Sequence, residues 1–116
     1  MSLDKRVAVS QVLPQRPFRR HARVLFSAPL HLRHLMAGGM RSRRGISLDI
    51  SENGIGALIE GGLQVGDTVQ IEINLPSAGL RAIGIVRHSS SLRSGFEFLG
   101  LTLEERQGIA GLVASA

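Results

Sequence analysis

Between Val69 and Leu75 the chain alternates strictly, with Val69, Ile71, Ile73 and Leu75 apolar and Gln70, Glu72 and Asn74 polar. A repeat of two sends successive side chains to opposite faces, so this stretch predicts a strand with one face in a core and one in water. Weaker versions of the pattern flank it. Apolar stretches run from Ala22 to Met36 and end at Ala37-Gly38-Gly39-Met40, which reads as a hairpin loop. Arg41 to Ile50 then returns as a second strand. In it Asp49 and Ser51 alternate with Leu48 and Ile50, which assigns the two polar groups to one face. Glu52-Asn53-Gly54 breaks the run, and Asn-Gly supplies the positive-φ positions of a tight turn. A third strand follows from Ile55 to Glu60, stopped by Gly61-Gly62.

After the Gly66-Asp67 turn and the Val69–Leu75 strand, residues 76–79 turn the chain into a fifth strand, Leu80 to His88, with Ala82, Gly84 and Val86 on one face. Ser89 to Ser94 reads as a polar loop, and Gly95 opens a sixth strand that points Phe96 and Phe98 to one side. Thr102 and Glu105 have the spacing of a capping box, and Ile109, Leu112 and Val113 follow at helical intervals, so the last element is a short amphipathic helix. Six short strands and one terminal helix predict an all-β, antiparallel six-stranded barrel with a C-terminal α-helix. Residues 1–18, interrupted by Pro14 and Pro17, read as a flexible arm ahead of it.

Composition narrows the function. With 116 residues and no cysteine, the chain suits one hydrophobic core and excludes disulfide or thiolate chemistry. No apolar run reaches the length of a membrane span, and Arg19-Arg20 lacks the apolar segment and cleavage site of an export signal, so a cytoplasmic protein without membrane insertion is expected. The net charge of +5 is unevenly spread. Residues 1–44 carry ten Lys/Arg against Asp4 alone, a balance of +9, and residues 45–116 carry four Arg against eight acids, a balance of −4. Thirteen of the fourteen cations are arginine, whose planar fork matches phosphate or the O6/N7 edge of guanine.

Several chemistries find little support. His31 and His34, three apart on a strand, face opposite ways and make no metal site. No Gly-x-Ser-x-Gly elbow or phosphate-binding loop is present, and Glu104 and Glu105 belong to the helix start, so no enzyme is expected. DNA or RNA binding lacks its stacking platforms, there being no Trp or Tyr. What remains is a pair of stretches. Arg19, Arg20 and Arg23 offer guanidinium forks, while Asp49 offers an acceptor for the N1–H and N2 donors of guanine, with Ser51 beside it and Gly54 and Gly56 allowing close backbone approach. Asp49 and Ser51 alone would equally serve their own turn as an Asx or Ser/Thr motif.

Arg19-x-x-x-Arg23 followed by Asp49-x-Ser51-x-x-Gly54 resembles the two-part signature of PilZ domains. The likeness continues through Gly56, residues 84–88, Gly95-Phe96-Glu97-Phe98 and Glu104-Glu105-Arg106, so it covers nearly everything after Gln15. It divides the chain into an arm, 1–15, and one domain, 16–116. The resemblance implies a receptor for the bacterial second messenger cyclic di-GMP, with a family fold matching the barrel and helix already read. Arg19 and Arg23 would grip phosphates and guanine edges, Arg20 would add charge, Asp49 and Ser51 would read guanine, and Gly54 would shape the turn. It further implies a stand-alone adaptor, monomeric or weakly dimeric, that requires no cofactor and acts through an effector protein of unknown identity. A ligand-independent PilZ-like interaction module is the alternative.

Overall fold

In the computed structural model of the chain, residues 9–12, 22–60 and 62–116 are described. They form eight strands and one helix: β1 (Val9–Val12), β2 (Val24–Phe26), β3 (Pro29–Met36), β4 (Gly39–Ile50), β5 (Gly54–Ile59), β6 (Thr68–Asn74), β7 (Gly79–Ser89), β8 (Arg93–Leu99) and α1 (Leu103–Ser115). The strands lie in the order β1-β2-β4-β3-β6-β7-β8-β5, and β5 pairs back onto β4. Six strands, β4-β3-β6-β7-β8-β5, therefore close an antiparallel barrel, which removes the open edges a flat sheet would expose.

The β6 alternation holds residue by residue: Val69, Ile71 and Ile73 are buried and Gln70 and Glu72 are partly exposed. Inward residues from neighbouring strands complete one core, with Leu32, Ile50, Ile55, Ile71 and Val86 inaccessible to solvent. The helix seals it. Ile109 and Leu112 are buried in the same core, and the expected capping box is present: Glu105 N–H donates to Thr102 Oγ1 at 3.1 Å and Thr102 N–H to Glu105 Oε1 at 2.9 Å. The other oxygen of Glu105 accepts from Arg81 N–H at 3.1 Å, tying the helix start to β7.

Four local expectations are corrected. The apolar stretch from Ala22 to Met36 is two strands, because the pairing with β4 is interrupted at residues 27–28, where the Ser47 hydroxyl donates to Phe26 O at 2.5 Å and accepts from Ala28 N–H at 3.0 Å. Within the stretch read as a flexible arm, Val9–Val12 forms a strand against β2, with Val9 opposite Phe26 and Val12 opposite Val24. The β3–β4 connection is tighter than read, since Met36 already pairs with Gly39. The loop after β7 is also shorter, so Arg93 and Ser94 belong to β8 rather than to the loop. His31 and His34 do take opposite faces of β3, His34 buried and His31 partly exposed.

Candidate functional site

The site is built by two irregularities in an otherwise regular barrel. In β4, Ser47 pairs with Ala57 and Asp49 with Gly56, which leaves Leu48 as the extra residue of a β-bulge. In β7, Val86 pairs with Phe96 and His88 with Gly95, which leaves Arg87 extra. Partners in a register share a face, so one row of inward residues runs Val24, Ile50, Ile55, Phe96 and Val86 across β2, β4, β5, β8 and β7. The adjacent row, Leu25, Asp49, Gly56, Gly95 and His88, must point outward. Its centre is two glycines side by side, a bare patch of sheet with a carboxylate on one flank and an imidazole on the other. Both flanking side chains fold over that patch. A Cβ at Gly56 would sit 2.9 Å from Asp49 Oδ1, and one at Gly95 would run into the His88 ring.

Asp49 is the buried anion of this face, with its side chain 4% exposed. Each of its oxygens meets a different guanidinium. Arg23, the residue before β2, donates from one terminal nitrogen to Oδ1 at 2.5 Å, and Arg93 of β8 donates to Oδ2 at 3.3 Å. Burial of an ionised carboxylate is tolerable only with such pairing, because removing water from an isolated charge is costly. Arg23 keeps donors in reserve: its Nε–H is buried with no partner among the described residues. Beside these groups lies a cavity of about 190 Å³ lined by Arg23, Asn53, Ile55, Arg87, His88 and the middle of β8, Gly95 to Glu97. Arg87 pairs there with Glu97 at 2.6 Å.

The motif residues thus fall as follows. Arg23, Asp49 and Gly56 come together on the outer face. Ser51, buried, turns its hydroxyl onto its own hairpin, accepting from Asn53 N–H at 3.1 Å and Gly54 N–H at 3.3 Å. A hydroxyl that accepts still has its proton to donate. The Asn53-Gly54 turn uses no left-handed residue: among the described residues positive φ occurs only at Gly39, Gly66 and Gly100. Gly54 is required for another reason, since a Cβ there would collide with the Phe96 carbonyl on the neighbouring strand. Arg19 and Arg20 lie outside the described residues. Arg93 is the residue that sequence reasoning missed; the polar run Ser89 to Ser94 hides a strand start, and only the pairing of Arg93 with Leu58 brings it beside Asp49.

Among the described residues no group of three or more His, Cys, Asp or Glu side chains could hold a metal ion. No helix there is long and apolar enough to cross a membrane.

Solved structures share this fold. The chain is similar to the Bacillus subtilis inhibitor of motility MotI/DgrA, with a TM-score of 0.70 and 18% identity over 87% of this chain, which spans only 51% of that one. It is similar to the PilZ domain of CeSA from a cellulose-synthesizing bacterium, with a TM-score of 0.62 and 19% identity over 79% of this chain and 94% of that one. It is also similar to the PilZ domain of YcgR from Escherichia coli, solved with c-di-GMP, with a TM-score of 0.63 and 22% identity over 84% and 90% of the two chains. No curated protein sequence matches it. A family model for the PilZ domain matches residues 17–115, and the chain belongs to the PilZ domain family.

Proposed function

We propose that the chain is a cyclic di-GMP receptor whose arginine-rich N-terminal segment orders over the Asp49 face on binding and presents a new surface to an effector protein. The observation that supports this most is the Arg23–Asp49 pair: the two halves of the signature, 26 residues apart, meet at 2.5 Å beside a flat, glycine-floored patch. Arg19 and Arg20 precede Arg23 by four and three residues, so the segment that brings one guanidinium to the site can bring three. The YcgR domain, similar in fold, was solved with this ligand.

The chemistry follows from charge. A crowd of arginines in a short segment repels itself, and the phosphates of a cyclic dinucleotide neutralise that repulsion while accepting bidentate guanidinium hydrogen bonds. Ordering the segment costs about 1–2 kcal/mol per residue fixed, so affinity is moderate and the ordered segment itself is the signal. Asp49 receives the N1–H and N2 donors of a guanine, and Ser51 contributes the proton its turn leaves free. The role is binding, with no reaction catalysed.

Isothermal titration calorimetry tests it. Cyclic di-GMP binds at micromolar affinity or better, Arg19→Ala, Arg23→Ala and Asp49→Ala each weaken it, and GTP and cyclic AMP give no heat. Indifference of the wild type to cyclic di-GMP overturns the receptor reading. One observation favours the rival interaction module: Asp49 is already paired on both oxygens and Ser51 already holds its turn, so both have structural work without a ligand. That reading expects no heat from any of the three nucleotides.

A further inference from the structure

We infer that Arg93 is a positioning residue of the site, a fixed second clamp that keeps the Asp49 carboxylate compensated and aimed when Arg23 turns to another anion. The inference rests on the receptor reading for its consequence in binding, but its physical core lies in the barrel alone.

The two arginines on Asp49 are held very differently. Arg23 enters at the start of β2, next to the basic segment, with its side chain 20% exposed, whereas that of Arg93 is 54% exposed. Arg93 starts β8, and its backbone is pinned in the tight β7–β8 connection. Its carbonyl accepts from Ser90 N–H at 2.8 Å, and its N–H donates to Ser90 Oγ at 3.1 Å. Its position along β5 is set by pairing with Leu58. Arg93 therefore presents a half-exposed guanidinium from a backbone fixed in a hairpin, and Arg23 presents a more buried one from a chain entry.

This asymmetry matters because the Arg23 terminal nitrogen cannot serve Asp49 Oδ1 and a phosphate in the same direction. If Arg23 were the sole partner, drawing it away would strand a carboxylate that is 4% exposed, and an unpaired buried charge is strongly unfavourable. Arg23 would then stay on Asp49 through that nitrogen and could offer a phosphate only its remaining N–H groups. Arg93, on the other oxygen at 3.3 Å, removes that obstacle. It also holds the carboxylate plane over Gly56, where no side chain competes for the space. Arg93 thereby frees Arg23 without itself touching the ligand.

The test is a thermal-unfolding cycle on the full chain combined with cyclic di-GMP titration. Arg93→Ala alone lowers Tm slightly, since Arg23 remains on Asp49. The same substitution in an Arg23→Ala background lowers Tm several-fold more, because the carboxylate loses its last cation; simple additivity of the two losses overturns the clamp. In the titration, Arg93→Ala weakens binding about ten-fold, and Arg93→Lys, which restores the charge without the fork, recovers most of it. Unchanged affinity in Arg93→Ala overturns the positioning role, and so does a ten-fold loss accompanied by additive melting, which would make Arg93 a direct ligand contact. If the wild type ignores cyclic di-GMP, the receptor reading fails, and the melting cycle still decides whether Arg93 holds Asp49.

Discussion

Two clefts on this barrel differ in size and in kind. The larger, about 730 Å³, lies along β3, β6 and β7 beside the helix start and is lined by His31, Arg44, Glu72, Arg81 and Glu105 among others. The smaller, about 190 Å³, lies beside Asp49. In the larger cleft the strands pair in unbroken register, and the charges form partly exposed pairs: Glu72 with Arg81 at 2.9 Å and with His31 at 3.6 Å, its side chain 23% exposed. Such pairs are worth little, because water competes for both partners. On the face beside the smaller, two bulges break the register, two glycines bare the sheet, and Asp49 is almost wholly buried where Arg23 and Arg93 meet it. On the proposed reading, a buried charge and a stripped patch of sheet mark the site better than volume does.

The comparison breaks most readily at Asp49. Asp49→Ala leaves two arginines facing each other without their shared anion, and the expected outcome is at least a hundred-fold loss of cyclic di-GMP binding by calorimetry with a stability loss of about 3 kcal/mol in urea unfolding. Next in size, Gly54→Ala forces a Cβ into the Phe96 carbonyl, backbone that has no room to retreat. Unfolding should register about 2 kcal/mol or more, as for other overpacked positions. Gly56→Ala separates binding from stability, since its Cβ would press on the Asp49 carboxylate, a side chain able to move. Binding should fall about ten-fold, roughly 1.4 kcal/mol, while the melting temperature shifts by only a few degrees. Smallest of all, Arg81→Ala in the larger cleft should change cyclic di-GMP affinity less than two-fold and stability by under about 1 kcal/mol, as expected of a surface pair. An effect of Arg81→Ala on binding as large as that of Gly56→Ala would relocate the site.

Much of this architecture was legible from local pattern. The β6 alternation and the Thr102–Glu105 capping box are readable because each depends on residues a few positions apart, whose relation is set by the strand and helix periods themselves. The candidate residues Arg23, Asp49 and Gly56 were legible as types. Their meeting was expected from the two-part signature and not from any local period, and the reason for each glycine was not legible: Gly54 reads as a turn residue by its neighbour Asn53, yet Phe96, 42 positions later, is what forbids a side chain there.

By itself, then, the amino-acid order determined that six strands and a helix form, that the basic charge gathers at one end, and that an acid and a hydroxyl stand by a hairpin. Tertiary structure alone decided that Leu48 and Arg87 bulge, that Asp49 consequently faces outward over Gly56, and that Arg93 rather than a loop stands across from Arg23. The physical reason is register. A one-residue slip between paired strands reverses which face every later side chain occupies, and that slip is settled by partners far along the chain, which no local period encodes.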